Sequence, residues 1–470
     1  MKRNTLRITV ALGAILALAG CSTMAPKYKR PEAPVPAAWP SGPAYRGAAK
    51  PGPALADLAW QEFFIDAQLR RVIASALENN RDLRLAALNI ERSQAQYRIQ
   101  RSELFPALNA GAGYSAQRQS ASQSRSGQAA TTHSYNLSLG MSAYEVDLFG
   151  RIRSLKDQAL EQYLATEQAR RSVQISLIAE VANNYLALAA DRESLKIARE
   201  TLASQESSYR LTRSRFEFGV VSALDLSRAR TIVDAARVDI GRYTSLVAQD
   251  LNALQLVVGA QVPDELLPGG LGPVTALKEI SPGLPSQVLQ RRPDILAAEH
   301  QLIGANANIG AARAAFFPRI TLTTAVGLSS SQLTDLFTGG AGVWSFLPQV
   351  SVPIFNAGAN KANLKLAEVD QKIFLTQYER SIQVAFREVA DALAQYGTVG
   401  EQLAAQQSLV DASAESHRLS DARYLGGVDS YLAVLDSQRS LYAAQQNLVT
   451  LRLSRLSNLV TLYKVLGGGA

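Results

Sequence analysis

"SYNLSLGMSAYEVDLFG", residues 134–150, reads as a strand in an otherwise helical sequence. Tyr135, Leu137, Leu139, Met141 and Ala143 alternate with Asn136, Ser138, Gly140 and Ser142. That is the period-two pattern of a strand with one apolar and one polar face. About ten such residues suffice for a β-strand to cross a bilayer. On either side the pattern changes. Gly and Pro are missing from residues 61–105 and again from 151–218. An unbroken helix of about 65 residues is about 100 Å long, which predicts a coiled-coil rod. Pro is also absent from residue 354 onward, where Gly358, Gly397, Gly400, the pair Gly426 and Gly427 and a Gly-rich tail are the only interruptions.

The two halves of the chain repeat. "LFP" at 104–106 returns as "FFP" at 316–318, and "DLFG" at 147–150 returns as "PIFN" at 353–356. "AEVANNYLAL" at 179–188 returns in part as "REVADALAQY" at 387–396, and "RFEFGVVSAL" at 215–224 as "RYLGGVDSYL" at 423–432. Four matches in one order, at an offset near 208, predict a tandem duplication of helix, β-hairpin, long helix and helix. The second hairpin alternates Ile320, Leu322, Thr324, Val326 and Leu328, then Trp344, Phe346, Pro348, Val350 and Val352. The first is predicted near 108–115 and 135–147. Each hairpin enters after a helix-ending proline, Pro106 or Pro318. The predicted domains are a signal peptide (1–20), a Pro/Ala/Gly-rich tail (21–60), repeat 1 (61–275, strands about 107–147) and repeat 2 (276–470, strands about 319–355).

Composition excludes disorder, with 47% hydrophobic and 19% charged residues. After the N-terminus no run of 18 apolar residues predicts a membrane helix. Of 48 Lys and Arg against 40 Asp and Glu, Lys2, Arg3 and Arg7 fall in the predicted signal, leaving 45 against 40. The basic residues are scattered among acidic ones, so no nucleic-acid partner is predicted. Residues 8–19 form a short apolar core ending in "LAGC", residues 18–21. This resembles a lipoprotein lipobox and predicts acylation of Cys21, the only cysteine; cleavage after Ala19 is the alternative. Several acyl chains give the second signal that stable anchoring needs.

Four strands raise a closure problem. No strand edge stays unpaired in lipid, and about eight strands are the minimum for a barrel. The chain must therefore pool strands with copies of itself. A dimer supplies 8, a trimer 12, a tetramer 16, and the arithmetic alone does not choose. A soluble β-domain is the competing reading.

"LQRRPDILAAEHQL" (289–302), "AARAAFFPRI" (311–320), "YEVDLFGRIRS" (144–154) and "DSYLAVLDSQRSLY" (429–442) carry a family resemblance over nearly the whole chain. The sequence resembles the outer membrane factors, the TolC-like exit ducts of tripartite efflux pumps, in their lipoprotein branch. The family usually has Trp at Tyr144; both suit an interfacial girdle. The resemblance implies a mainly α fold with transmembrane β: a trimeric 12-stranded barrel continued by a periplasmic α-helical barrel. A belt would be made by the N-terminal tail, residues 260–285 and the C-terminus. It also implies a homotrimer working with a periplasmic adaptor and an inner-membrane RND pump, in contact with outer-membrane lipid. Ser22, after the cysteine, fits outer-membrane sorting by the same analogy.

No catalytic constellation is predicted. His133, His300 and His417 lie in different segments, no GxxxxGK[S/T] loop occurs, and "GANANIGAAR" (304–313) sits in a helical repeat without a preceding strand. No cofactor is predicted beyond the lipid on Cys21. The site expectations fall on the turns between paired rods, 218–226 and 426–436, where Gly219 and Gly427 permit a tight backbone. By the family match, Leu432 and Asp436 narrow the periplasmic mouth; four apart, they share a helix face. Three facing carboxylates repel and favour cations or dilation. Asp225 matches a position that links neighbouring helices, with Tyr424 or Arg423 as partner, though it also reads as a polar residue at a helix start. Arg291, Arg292 and Asp294 mark the family but read as structural around a helix opened by Pro293. The predicted function is a passive, gated exit duct for small toxic compounds. The alternatives are a lipid-anchored coiled-coil structural protein and a duct for protein secretion.

Overall fold

A computed structural model describes residues 23–46, 58–122, 124, 127–272 and 286–468. The elements run α1 (Ala67–Asn79), α2 (Arg81–Ser102), β1 (Leu108–Gln119), β2 (Ala130–Glu145), α3 (Arg151–Glu217) and α4 (Ala223–Val258). The second repeat follows as α5 (Pro293–Ala314), β3 (Arg319–Ser330), β4 (Gly342–Ser351), α6 (Ala359–Leu425) and α7 (Tyr431–Val465). Helices α2 and α5 each have 22 residues, and α3 and α6 each have 67. The offset between repeats is 211–212 through the first strand and 208 from the long helix onward. It changes across the second strand, which has 16 residues in repeat 1 and 10 in repeat 2.

The chain divides into two compact units. One (1–31, 90–166, 298–378) holds the four strands in a single antiparallel sheet of order β1-β2-β3-β4. Its N-terminal stretch, predicted as an extended tail, is docked on α5. Arg30 clamps Glu299 through two bonds of 2.7 Å, and the Tyr28 hydroxyl donates to the same carboxylate at 2.9 Å. Asn306 donates to the Pro26 carbonyl at 2.6 Å, and a Cβ at Gly310 would meet the Ala25 nitrogen at 2.6 Å. Cys21 and Ser22 lie outside the described residues.

The other unit (32–89, 167–297, 379–470) is helical. Phe63 stacks on Tyr463 and Phe64 meets it edge-on, with ring centroids 4.5 and 5.8 Å away, all fully buried. Helices α1 and α2 break without Gly or Pro. Asp66 caps α1 by accepting from the Leu69 amide at 2.6 Å, and Asn80 caps α2 by accepting from Leu83 at 2.8 Å. Conversely, α6 passes through Gly397 and Gly400 unbroken. A Cβ at Gly397 would lie 2.2 Å from the Ala44 carbonyl oxygen, so this glycine admits a neighbouring backbone. One 18-residue window of α3 is apolar and charge-poor enough to cross a membrane by length and composition, against the sequence expectation. Most of it is buried, as in the core of a helical bundle.

Arg292 supports the structural reading of 291–294. It donates to Asp294 at 2.7 and 3.0 Å, to Glu388 on α6 at 3.0 Å and to the Val465 carbonyl on α7 at 2.7 Å. Pro293 is the first residue of α5. Arg291 is exposed. A paired, hydrogen-bonded arginine is how a buried charge is tolerated.

Candidate functional site

The sheet brings the alternating residues of all four strands into register. Leu108, Ala110, Ala112 and Tyr114 pair with Met141, Leu139, Leu137 and Tyr135. Leu137, Leu139 and Met141 pair onward with Leu328, Val326 and Thr324. Val326, Thr324, Leu322 and Ile320 then meet Trp344, Phe346, Pro348 and Val350. One face is therefore apolar across the whole sheet, while the other carries mainly Asn, Ser, Thr, Gly and Gln. Among the described residues, nothing covers much of that apolar face. Trp344 is 80% exposed and Val326 60% exposed. Such a patch on a folded protein marks contact with lipid or another chain.

Two further features point the same way. Strands β1 and β4 have one partner each, so among the described residues both outer edges are bare. On the polar face a Cβ at Gly140 would lie 2.3 Å from the Thr324 carbonyl oxygen, and one at Gly327 2.0 Å from that of Leu137. The neighbouring strands crowd in on this side, as on the inside of a curled sheet. A β-bulge between Met141 and Tyr144 adds to the bend, with Ala143 at φ +52° and its amide donating to Thr323 Oγ1 at 3.0 Å. Below the sheet Glu145 accepts two bonds from Arg151 (2.9 and 2.8 Å) and one ion pair from Arg319 (2.6 Å).

In the helical unit, the two tip turns are built alike, 208 residues apart. In the first, the Gly219 and Val220 amides donate to the Phe216 and Arg215 carbonyls; in the second, Gly427 and Val428 donate to Tyr424 and Arg423. Gly219 and Gly427 sit at φ +74° and +71°, the left-handed conformation that closes this motif. Behind the turns Ala229, Ile232, Tyr431, Val434 and Leu435 form a buried cluster, with Tyr209 and Tyr424 against it. The Arg215 guanidinium lies 4.9 Å above the Tyr424 ring, which tilts against Tyr431 at 5.1 Å. Opposite this core, Leu432 and Asp436 face out of α7, with Leu432 42% exposed.

Among the described residues, Asp225 makes its bonds to Ser222 and Arg228 and none to Arg423 or Tyr424. Asp225 belongs to a capping box: it accepts from the Ser222 hydroxyl at 2.7 Å and the Ser222 amide at 3.3 Å, while its own amide donates to Ser222 Oγ at 3.1 Å. The S-x-x-D spacing at 222–225 carries that signal, in line with a helix-start reading. Arg423 instead grips Asp429 at 3.0 Å and closer, which holds the Asp429 carboxyl below its usual range. The Tyr424 hydroxyl is closed off from solvent without a hydrogen-bond partner among the described residues. Sequence reasoning missed Asp429, the Arg215 stacking, and the close-approach roles of Gly140 and Gly327. The last two depend on strand register, which no local pattern reveals.

The profile of the outer membrane efflux protein family matches the chain twice, over residues 72–260 and 284–468. The chain belongs to that family. The outer membrane efflux protein is 51% identical over 462 residues to the probable efflux pump outer membrane protein TtgC of Pseudomonas putida, covering 98% of this chain and 95% of the relative. To the outer membrane protein OprJ of Pseudomonas aeruginosa it is 45% identical over 460 residues, with 98% and 95% covered. Among solved structures, a membrane protein from Pseudomonas aeruginosa aligns with TM-score 0.90 at 44% identity, covering 95% of this chain and 98% of the other. The open state of the Neisseria gonorrhoeae outer membrane channel MtrE aligns with TM-score 0.86 at 38% identity, with 95% and 98% covered. The protein is thus a bacterial outer-membrane efflux channel of the TolC-like fold. The reading of its hairpins as membrane strands holds, and the periplasmic structural spacer is set aside.

Proposed function

We propose that three copies of this efflux protein close one 12-stranded barrel, apolar face to lipid and polar face to the lumen, continued by a helical tunnel. The observation that supports this most is the four-stranded sheet, apolar on one side and bare at both edges. Each β4 would pair with β1 of the next copy, antiparallel like the other pairs. The lipid on Cys21 would anchor the docked N-terminal strap to the membrane. At the tips, rings of Leu432 and Asp436 would constrict the mouth. Any link made by the Asp225 carboxylate, part-exposed beyond its Ser222 cap, would then run between copies instead of within one.

The duct is passive in this reading, and the driving force comes from an inner-membrane RND pump reached through a periplasmic adaptor. The cargo is small and toxic. Relatives at 51% identity include the toluene efflux protein TtgC and the antibiotic efflux protein ArpC, which favours such compounds over a protein cargo. Deletion in a strain lacking redundant ducts should raise sensitivity to toluene and to hydrophobic antibiotics, with restoration by the gene in trans. Unchanged sensitivity would contradict the proposal.

A further inference from the structure

The joint between α3 and α4 holds two carboxyl groups outside the barrel and the tips. Helices α3 and α4 pack through Leu195, Ala198 and Tyr243, and beside that contact the carboxyl groups of Asp191 on α3 and Asp250 on α4 face one another, close enough for each to act on the other. Asp250 Oδ2 is closed off from solvent, and no donor among the described residues reaches it. Two ionised carboxylates are both acceptors and cannot satisfy each other. A single shared proton satisfies both.

The surroundings leave that proton as the main remedy. On α4, Arg242 acts on Asp191, but it also pairs with Asp239 at 3.6 Å and donates to the Tyr243 hydroxyl at 2.7 Å. On α3, Arg192 is committed to the Pro268 carbonyl at 2.8 Å. Glu193 accepts from the Leu271 amide at 2.9 Å and from Arg452 of α7 at 3.5 Å. From α7, Gln446 accepts from the Tyr243 hydroxyl at 3.0 Å and donates to the Ser194 carbonyl at 3.3 Å, while the Tyr442 hydroxyl donates to Asp239 at 3.1 Å. Burial and then the charge of Asp191 push the Asp250 carboxyl up to about 6, and burial raises Asp191 as well.

The second repeat supplies an internal comparison. At the offset of 208, Asp191 and Asp250 correspond to Val399 and Asn458. Asn458 is buried and uncharged, and donates to the Ala392 carbonyl at 3.1 Å and Gln395 Oε1 at 3.0 Å. The same place in the fold is thus fixed in one repeat and titratable in the other.

We infer that Asp191 and Asp250 form a proton-operated clasp between α3 and α4, fastened by a shared proton in acid and loosened by facing charges at higher pH. An unfolded Asp titrates near about 3.9, so the native chain retains a proton that the unfolded chain releases. The clasp's contribution is complete below that value and is lost as pH rises through about 6. The joint of α6 and α7, where Asn458 bonds to Ala392 and Gln395 and Val399 replaces the second carboxyl, should have no such dependence. The inference rests on the fold of the chain and not on what it transports.

Thermal melting of the full-length protein in detergent, followed by helical circular dichroism, tests it with Asp250→Asn. At pH 8 the variant should melt a few degrees above wild type, because Asn donates to Asp191 without charge. At pH 5 the two should coincide. Equal destabilisation at both pH values would overturn the clasp. Infrared spectra give a readout that does not depend on the variant's stability. The wild-type protein should show a protonated carboxyl band that is lost between pH 5 and 8, and Asp191→Asn should shift that titration. A band unmoved by pH or by Asp191→Asn would also overturn it.

Discussion

Lysine at both Leu139 and Val326 should abolish assembly into the membrane. The two residues are direct cross-strand partners near the middle of β2 and β3, on the apolar face. Each is more than half exposed in the single chain, so neither substitution opens a core cavity. The cost comes from lipid. A lysine facing hydrocarbon near the bilayer centre costs about 2–4 kcal/mol. Two positions in three copies then cost about 12–24 kcal/mol if additive, comparable to or above the ~5–15 kcal/mol that stabilises an ordinary domain. Heat-modifiable oligomer in outer-membrane fractions should fall more than tenfold. Ser138→Lys, on the opposite face, should assemble normally and change conductance instead. Equal assembly of both variants would remove the lipid-facing assignment.

Truncating the tips should open the mouth. Leu432→Ala combined with Asp436→Ala removes the apolar and acidic side chains proposed to constrict the mouth, without touching the buried cluster of Ala229, Ile232, Tyr431, Val434 and Leu435. Single-channel conductance in planar bilayers should rise several-fold while the melting temperature stays near wild type. Leu435→Ala is the contrasting case. That side chain is 2% exposed, and its truncation should cost about 2–5 kcal/mol of stability. A double variant with unchanged conductance would place the constriction elsewhere.

Much of this architecture is legible in the sequence because two periodicities carry it. Alternation marked the strands, the absence of both Gly and Pro marked α3, and the absence of Pro alone marked α6. Gly219 and Gly427 were legible because a left-handed turn residue between two long helical runs has one use. Gly397 was not. A glycine that breaks a helix and one that admits a neighbouring backbone look identical in sequence, and only the approach of Ala44 separates them. The breaks at Asp66 and Asn80 were hidden for the opposite reason, since side-chain caps end helices without any glycine. The partner of Arg423 was missed because Asp429 and Asp225 are equally plausible carboxylates until the turn is folded. Asp225 is already engaged by Ser222.

The central claim is that one chain supplies a third of a barrel. Native mass spectrometry of the mature protein, extracted in detergent, tests it most directly. Three chains per particle, each heavier than the peptide from Cys21 by several acyl groups, is the predicted result. A stable monomer would leave β1 and β4 with bare edges and would contradict the barrel.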